Sequence, residues 1–177
     1  MSRRCTDSRW IRPAPPISRD NVGMYDVLIV VHSWLRWVVL LLGVVAFARA
    51  ASGRFTRRPW TPTDDAVGRW FVISVDVQVL IGLLLYFFFS SYTMAAWRNM
   101  AGAMADAVVR FWAVEHVIGM LAATAFVHVG RVRIRKASDS PRKHFVAAIF
   151  FGLALVLMLA SIPWPFGSID RPWIRGI

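Results

Sequence analysis

Four long apolar stretches alternate with short polar ones along the chain. They read YDVLIVVHSWLRWVVLLLGVVAFARA, VGRWFVISVDVQVLIGLLLYFFF, DAVVRFWAVEHVIGMLAATAFVHVG and KHFVAAIFFGLALVLMLASI. Each is long enough to cross about 30 Å of hydrocarbon at roughly 1.5 Å of rise per residue. They predict helices over 25–50, 67–91, 106–135 and 141–162. Thr63, Asp64 and Asp65 mark the start of the second, because such residues cap helix N-termini and suit the dipole there. Ser140 followed by Pro141 starts the fourth, and PWPFG ends it. Short connections make an all-α, four-helix up-down bundle over residues 24–166 the economical topology, with tails at 1–23 and 167–177.

Composition strengthens this picture. With 57% hydrophobic residues, nine Trp and twelve Phe, and a mean hydropathy of +0.51, the chain is too apolar for a soluble domain of its size. The net charge of +11 does not signal nucleic acid, since an apolar majority cannot present the open basic face such binding needs. The lipid bilayer is the expected partner. Cys5 is the sole cysteine, which excludes an internal disulfide and a cysteine-based metal site.

Orientation follows from the basic residues. The connection between the first two spans carries Arg49, Arg54, Arg57, Arg58 and Arg69; that between the last two carries Arg131, Arg133, Arg135, Lys136, Arg142 and Lys143. The remaining connection offers Arg98 and little else, with Tyr86, Tyr92 and Trp97 as an interfacial aromatic belt. The basic side is expected to be cytoplasmic in a bacterial inner membrane, and both termini non-cytoplasmic. Residues 1–23 disturb the pattern with five arginines and lack the features of a signal peptide. Two readings stand: a Pro-rich tail, or a true start at Met24, from which the charge rule holds without exception.

Ionisable residues inside the spans carry the candidate chemistry, because each is costly there unless paired or functional. By depth, Arg36, Asp76, Glu115 and His116 fall near the midplane, His32 somewhat toward the non-cytoplasmic face, and His128 and His144 near the cytoplasmic rim. The expectation is one central cluster in which Arg36 pairs with one of the two carboxylates. His32 and Arg36, four residues apart, share a helix face. A structural lock is the bland alternative. A b-type haem needs two imidazoles on different helices at similar depth, and His32 with His116 meets that; His128 with His144 would be a second pair. His116 and His128 are twelve apart, about 120° around one helix, so they belong to different inter-helix slots. His144 also reads as a snorkelling residue at a basic helix start. No zinc-like spacing, Ser-His-Asp arrangement or Gly-rich phosphate loop is present.

Four motifs in order, HSWLRWVVLLLG, DVQVLIGLLLYF, RFWAVEHVIGMLAA and KHFVAAIFFGLALVLMLASIPWPF, resemble a family of small bacterial four-helix membrane proteins that carry the label "cytochrome b". The resemblance covers Met24 to Phe166. It implies haem b and matches the family's helix-one His and Arg to His32 and Arg36, its Glu-His pair to Glu115 and His116, and its Lys-His pair to Lys143 and His144. Where many members have a histidine two residues before a glutamine in the second helix, this chain has Asp76 before Gln78. Any haem would then rely on His32 and His116, with Arg36 and Glu115 as supporting groups. The expected function is electron transfer within the membrane; the rival is a haem-free accessory subunit of a larger respiratory or photosynthetic complex. A quinone pocket near Trp34, Trp37 and Trp112 is imaginable, but no motif supports it. A proton channel ranks last, because the third span offers only Thr124 between Glu115 and His128.

Overall fold

A computed structural model describes residues 19–164 and residue 169. The readings of the two tails therefore lie largely outside the described residues. Among the described residues all regular structure is helical: α1 Arg19–Thr56, α2 Pro62–Leu84, α3 Ser91–Arg98, α4 Met100–Ala105, α5 Ala107–Arg110, α6 His116–Lys136 and α7 Ser140–Ser161. Two π-helical turns, Leu85–Phe89 and Phe111–Glu115, extend α2 and precede α6. Four helical stretches are long and apolar enough to cross a membrane: Gly23–Thr56, Pro62–Phe89, Ala107–Lys136 and Ser140–Ser161.

The helix starts are set by caps that sit one or two residues from those expected. Thr61 caps α2, with Pro62 following and Asp64 completing a capping box, in place of Thr63. Asp139, accepting from the Arg142 amide, caps α7 one residue before Ser140. The second connection is no simple loop. It is three short helices, each started by a side chain: Ser90 for α3, Asn99 for α4 and Asp106 for α5.

Helix α1 packs on α2 and α7, and α6 packs on α7, while the α2–α6 seam is the most sparsely packed. Buried Val39, Ala46, Phe71, Val75, Ala123, Val127, Ala147, Phe151 and Ala154 fill the centre, and Phe71 meets Phe151 edge to face at 5.4 Å. Small side chains on α6 and α7 let those helices approach closely, which is how apolar helices associate where lipid removes the hydrophobic drive.

The arginine-rich end is tied by ions. Asp64, buried, accepts from Arg49 Nε at 2.9 Å and from Arg58 at 2.6 and 2.7 Å. Those bonds hold the Arg58 guanidinium above the ordinary arginine value. Asp65 accepts a two-pronged contact from Arg131 at 2.8 and 3.0 Å, joining α2 to α6. His144 does not snorkel. Its ring is fully buried against Trp60, centroids 4.9 Å apart, in space that Gly53 leaves open.

Candidate functional site

At the end away from these arginines the helices enclose a cavity of about 230 Å³. Its wall includes Tyr25, His32, Arg36, Gln78, Tyr86, Tyr92, Trp112, His116 and Thr124 among aliphatic side chains. Of the expected cluster, the structure brings His32 and Arg36 on one stripe of α1 and His116 at the start of α6 to this wall, and Gln78 joins them. The sequence pattern missed Gln78, whose signal is a polar amide in mid-span.

Glu115 and Asp76 are not part of this cluster. Glu115 is half exposed and accepts from Arg110 Nε at 2.6 Å. Asp76 is half exposed and accepts from His128 Nε2 at 2.7 Å across the α2–α6 seam. Adjacent residues on a helix point about 100° apart, so Glu115 cannot follow His116 inward. Arg36 instead lies over the Trp37 ring at 5.4 Å. His128 and His144 do not meet either, since one faces outward and the other is sealed beside Trp60. The aromatic belt divides: Tyr86 and Tyr92 line the cavity while Trp97 faces outward, as does Trp34.

Hydrogen bonds fix the polar atoms at the cavity. The Gln78 amide nitrogen donates to the His32 carbonyl at 3.0 Å and lies 3.2 Å from His32 Nε2, which accepts its second hydrogen. The ring proton of His32 then resides on Nδ1. That Nδ1 and Gln78 Oε1 are buried without a hydrogen-bond partner among the described residues. Gly82 keeps the ring's edge open, because a Cβ there would stand 3.1 Å from His32 Cε1. On the facing wall His116 Nδ1 donates to the Ser161 carbonyl at 2.7 Å, which leaves the lone pair on Nε2. A side chain at Gly119 would collide with Ser161 and disturb this contact.

Two π turns meet beside these groups. Tyr86 in the first donates its hydroxyl to the Ala113 carbonyl in the second at 2.9 Å. A π turn leaves carbonyls out of the regular ladder, and such turns are frequent at functional sites. Trp112 in the second stacks on Tyr92, with centroids 6.3 Å apart, and leans on His116 at 5.5 Å.

His116 has the tautomer and orientation an iron ligand needs. His32 does not, since its Nε2 lone pair is taken by Gln78 and its Nδ1 carries the proton. A bis-histidine haem between His32 and His116 would require the Gln78–His32 contact to break and the His32 ring to turn. Among the described residues no group of three or more His, Cys, Asp or Glu is placed to hold a metal ion.

Compared with protein-family models, curated proteins and solved structures, the chain matches none. The resemblance described above thus rests on the four sequence motifs alone.

Proposed function

We propose that the protein is an up-down, four-span bundle of a bacterial inner membrane that binds the ring of a lipid-soluble quinone in its central cavity. The arginine-rich end would face the cytoplasm and the cavity would open in the outer half of the bilayer. The observation that carries the reading is the pair of buried, unsatisfied atoms, His32 Nδ1 and Gln78 Oε1, in an aromatic cavity with the lone pair of His116 Nε2. Buried polar groups are almost always satisfied, and exceptions point to a missing partner.

A quinone ring supplies both kinds of partner. Its carbonyl oxygen accepts from His32 Nδ1–H or the Arg36 guanidinium, and the hydroxyl of its reduced form donates to Gln78 Oε1 or His116 Nε2. Arg36 would stabilise an oxygen that gains charge on reduction, in a site whose low dielectric strengthens the effect. The flat rings of Tyr92 and Trp112 suit a planar ligand. The function follows as quinone binding in membrane electron transport, without a resident haem.

Thermal unfolding of the purified protein in nanodiscs, with and without a short-chain benzoquinone or naphthoquinone, tests this. A ligand at one hundred times its Kd stabilises by about 2.7 kcal/mol, a readily measured shift in Tm. Gln78→Leu and His116→Ala are expected to weaken that shift. No shift at millimolar quinone, or an equal shift in both variants, refutes the reading and leaves water as the occupant.

A further inference from the structure

The Asp76–His128 pair raises a separate question. Asp76 stands midway along the span Pro62–Phe89, and twelve residues, about 18 Å of helix, separate it from the ion cluster at Asp64. Both side chains are nevertheless 48% exposed, on the outer face of α2 and α6. Ionisable groups at such depth are rare on lipid-facing surfaces and nearly always face protein or water. The 2.7 Å bond satisfies one oxygen of Asp76 and one nitrogen of His128. Asp76 Oδ2 and His128 Nδ1 have no further hydrogen bond among the described residues.

We propose that this face is covered by the same face of a second copy of the chain, related by a two-fold axis. The pair is complementary to itself: with His128 protonated, its Nδ1–H donates to Asp76 Oδ2 of the partner copy, and the partner's imidazole returns the bond. A two-fold interface has this reciprocity by construction. The surroundings are shaped for helix contact. Ile73 and Leu80 on α2, and Leu121 and Val132 on α6, flank the pair at helical spacing and are all exposed. Ala125, also exposed, lies between Leu121 and His128 on the same stripe and allows close approach. The homodimer buries at once the costly pair and the sparse α2–α6 seam.

Cross-linking in liposomes decides the matter. In a cysteine-free background carrying Cys5→Ser, Ala125→Cys places a thiol beside the pair, and Val156→Cys places one on the exposed outer face of α7. A short bis-maleimide is expected to give dimers from the Ala125→Cys protein at least tenfold faster than from the Val156→Cys protein. Adding Asp76→Ala or His128→Ala to the former should remove that advantage. Photobleaching counts on labelled wild-type chains should show pairs at protein-to-lipid ratios where the variants are single. Equal cross-linking at both positions overturns the proposal, as do single wild-type chains at every ratio. A different polypeptide co-purifying in stoichiometric amount in place of the second copy overturns it as well. The contrast between the two cysteine positions keeps Asp76 and His128 intact, so the test survives if either alanine variant fails to fold.

Discussion

Replacing Gly53 with alanine probes the packing of His144 directly. A Cβ built at Gly53 falls 2.5 and 2.6 Å from Nδ1 and Nε2 of that ring. Non-bonded heavy atoms sit best at about 3.5–4.0 Å, so the ring would have to move by about 1 Å. It has nowhere to go, being fully buried with Trp60 at 4.9 Å. Overpacking of this kind costs about 1–3 kcal/mol. Without the clash, the same substitution would gain roughly 0.5–1 kcal/mol by removing a glycine from inside α1. The sign should therefore depend on residue 144. In the wild type Gly53→Ala is expected to destabilise by about 2 kcal/mol, and in a His144→Ala background to stabilise by a few tenths to about 1 kcal/mol. His144→Ala alone should cost less than an ordinary aromatic deletion, because both ring nitrogens lack hydrogen-bond partners among the described residues and their removal returns part of the loss. Reversible unfolding of the four proteins in micelles, followed by circular dichroism, gives the coupling term. If Gly53→Ala changes stability by the same amount in both backgrounds, the close packing of ring and glycine is refuted.

Three further outcomes are expected. Asp64→Ala removes a buried carboxylate that accepts from two arginines and caps α2; about 3 kcal/mol of destabilisation, the low end for broken buried pairs, follows because the Arg49 and Arg58 side chains retain 35% and 28% exposure. A loss below about 1 kcal/mol in denaturant unfolding would show that this cluster behaves as a surface pair. Gly82→Leu crowds the His32 ring and fills the space before it, so quinone-dependent stabilisation should vanish while stability without ligand falls by about 1–3 kcal/mol; retained quinone protection would place the ligand elsewhere. A reduced-minus-oxidised spectrum of protein made with haem available should lack a b-type alpha band; a band abolished by His116→Ala would overturn the argument from the His32–Gln78 bond.

Much of the fold was legible because hydrophobic run length is a direct record of bilayer thickness. The four spans lie where the apolar runs lie, and the charge asymmetry of the connections reappears as the Asp64 and Asp65 ion clusters at one end. Cap positions moved by one or two residues, since Thr61 and Asp139 compete with Thr63 and Ser140 as equally suitable acceptors. The helices α3, α4 and α5 and the two π turns carry no periodic signal that distinguishes them. LYFFF and FWAVE read simply as the ends of apolar runs.

Position along a helix was legible only coarsely and direction around it less so, since Asp76, expected near the midplane, bonds to His128, expected near the rim. Depth accumulates along a helix at a constant rate, whereas facing turns by about 100° with every residue, so residues at one depth still point to different neighbours. Four-residue and twelve-residue spacings behaved as that rule demands: His32 and Arg36 both line the cavity, while His116 faces it and His128 faces the outer seam. The same rule separates Asp76 from Gln78, two residues and about 200° apart. Once Gln78 bonds to His32, Asp76 must lie on the far side of α2, where His128 meets it. An aspartate at this position therefore acts on the outer seam and not on the cavity. A substitution there should alter how the bundle associates while leaving the His32 and His116 surroundings intact.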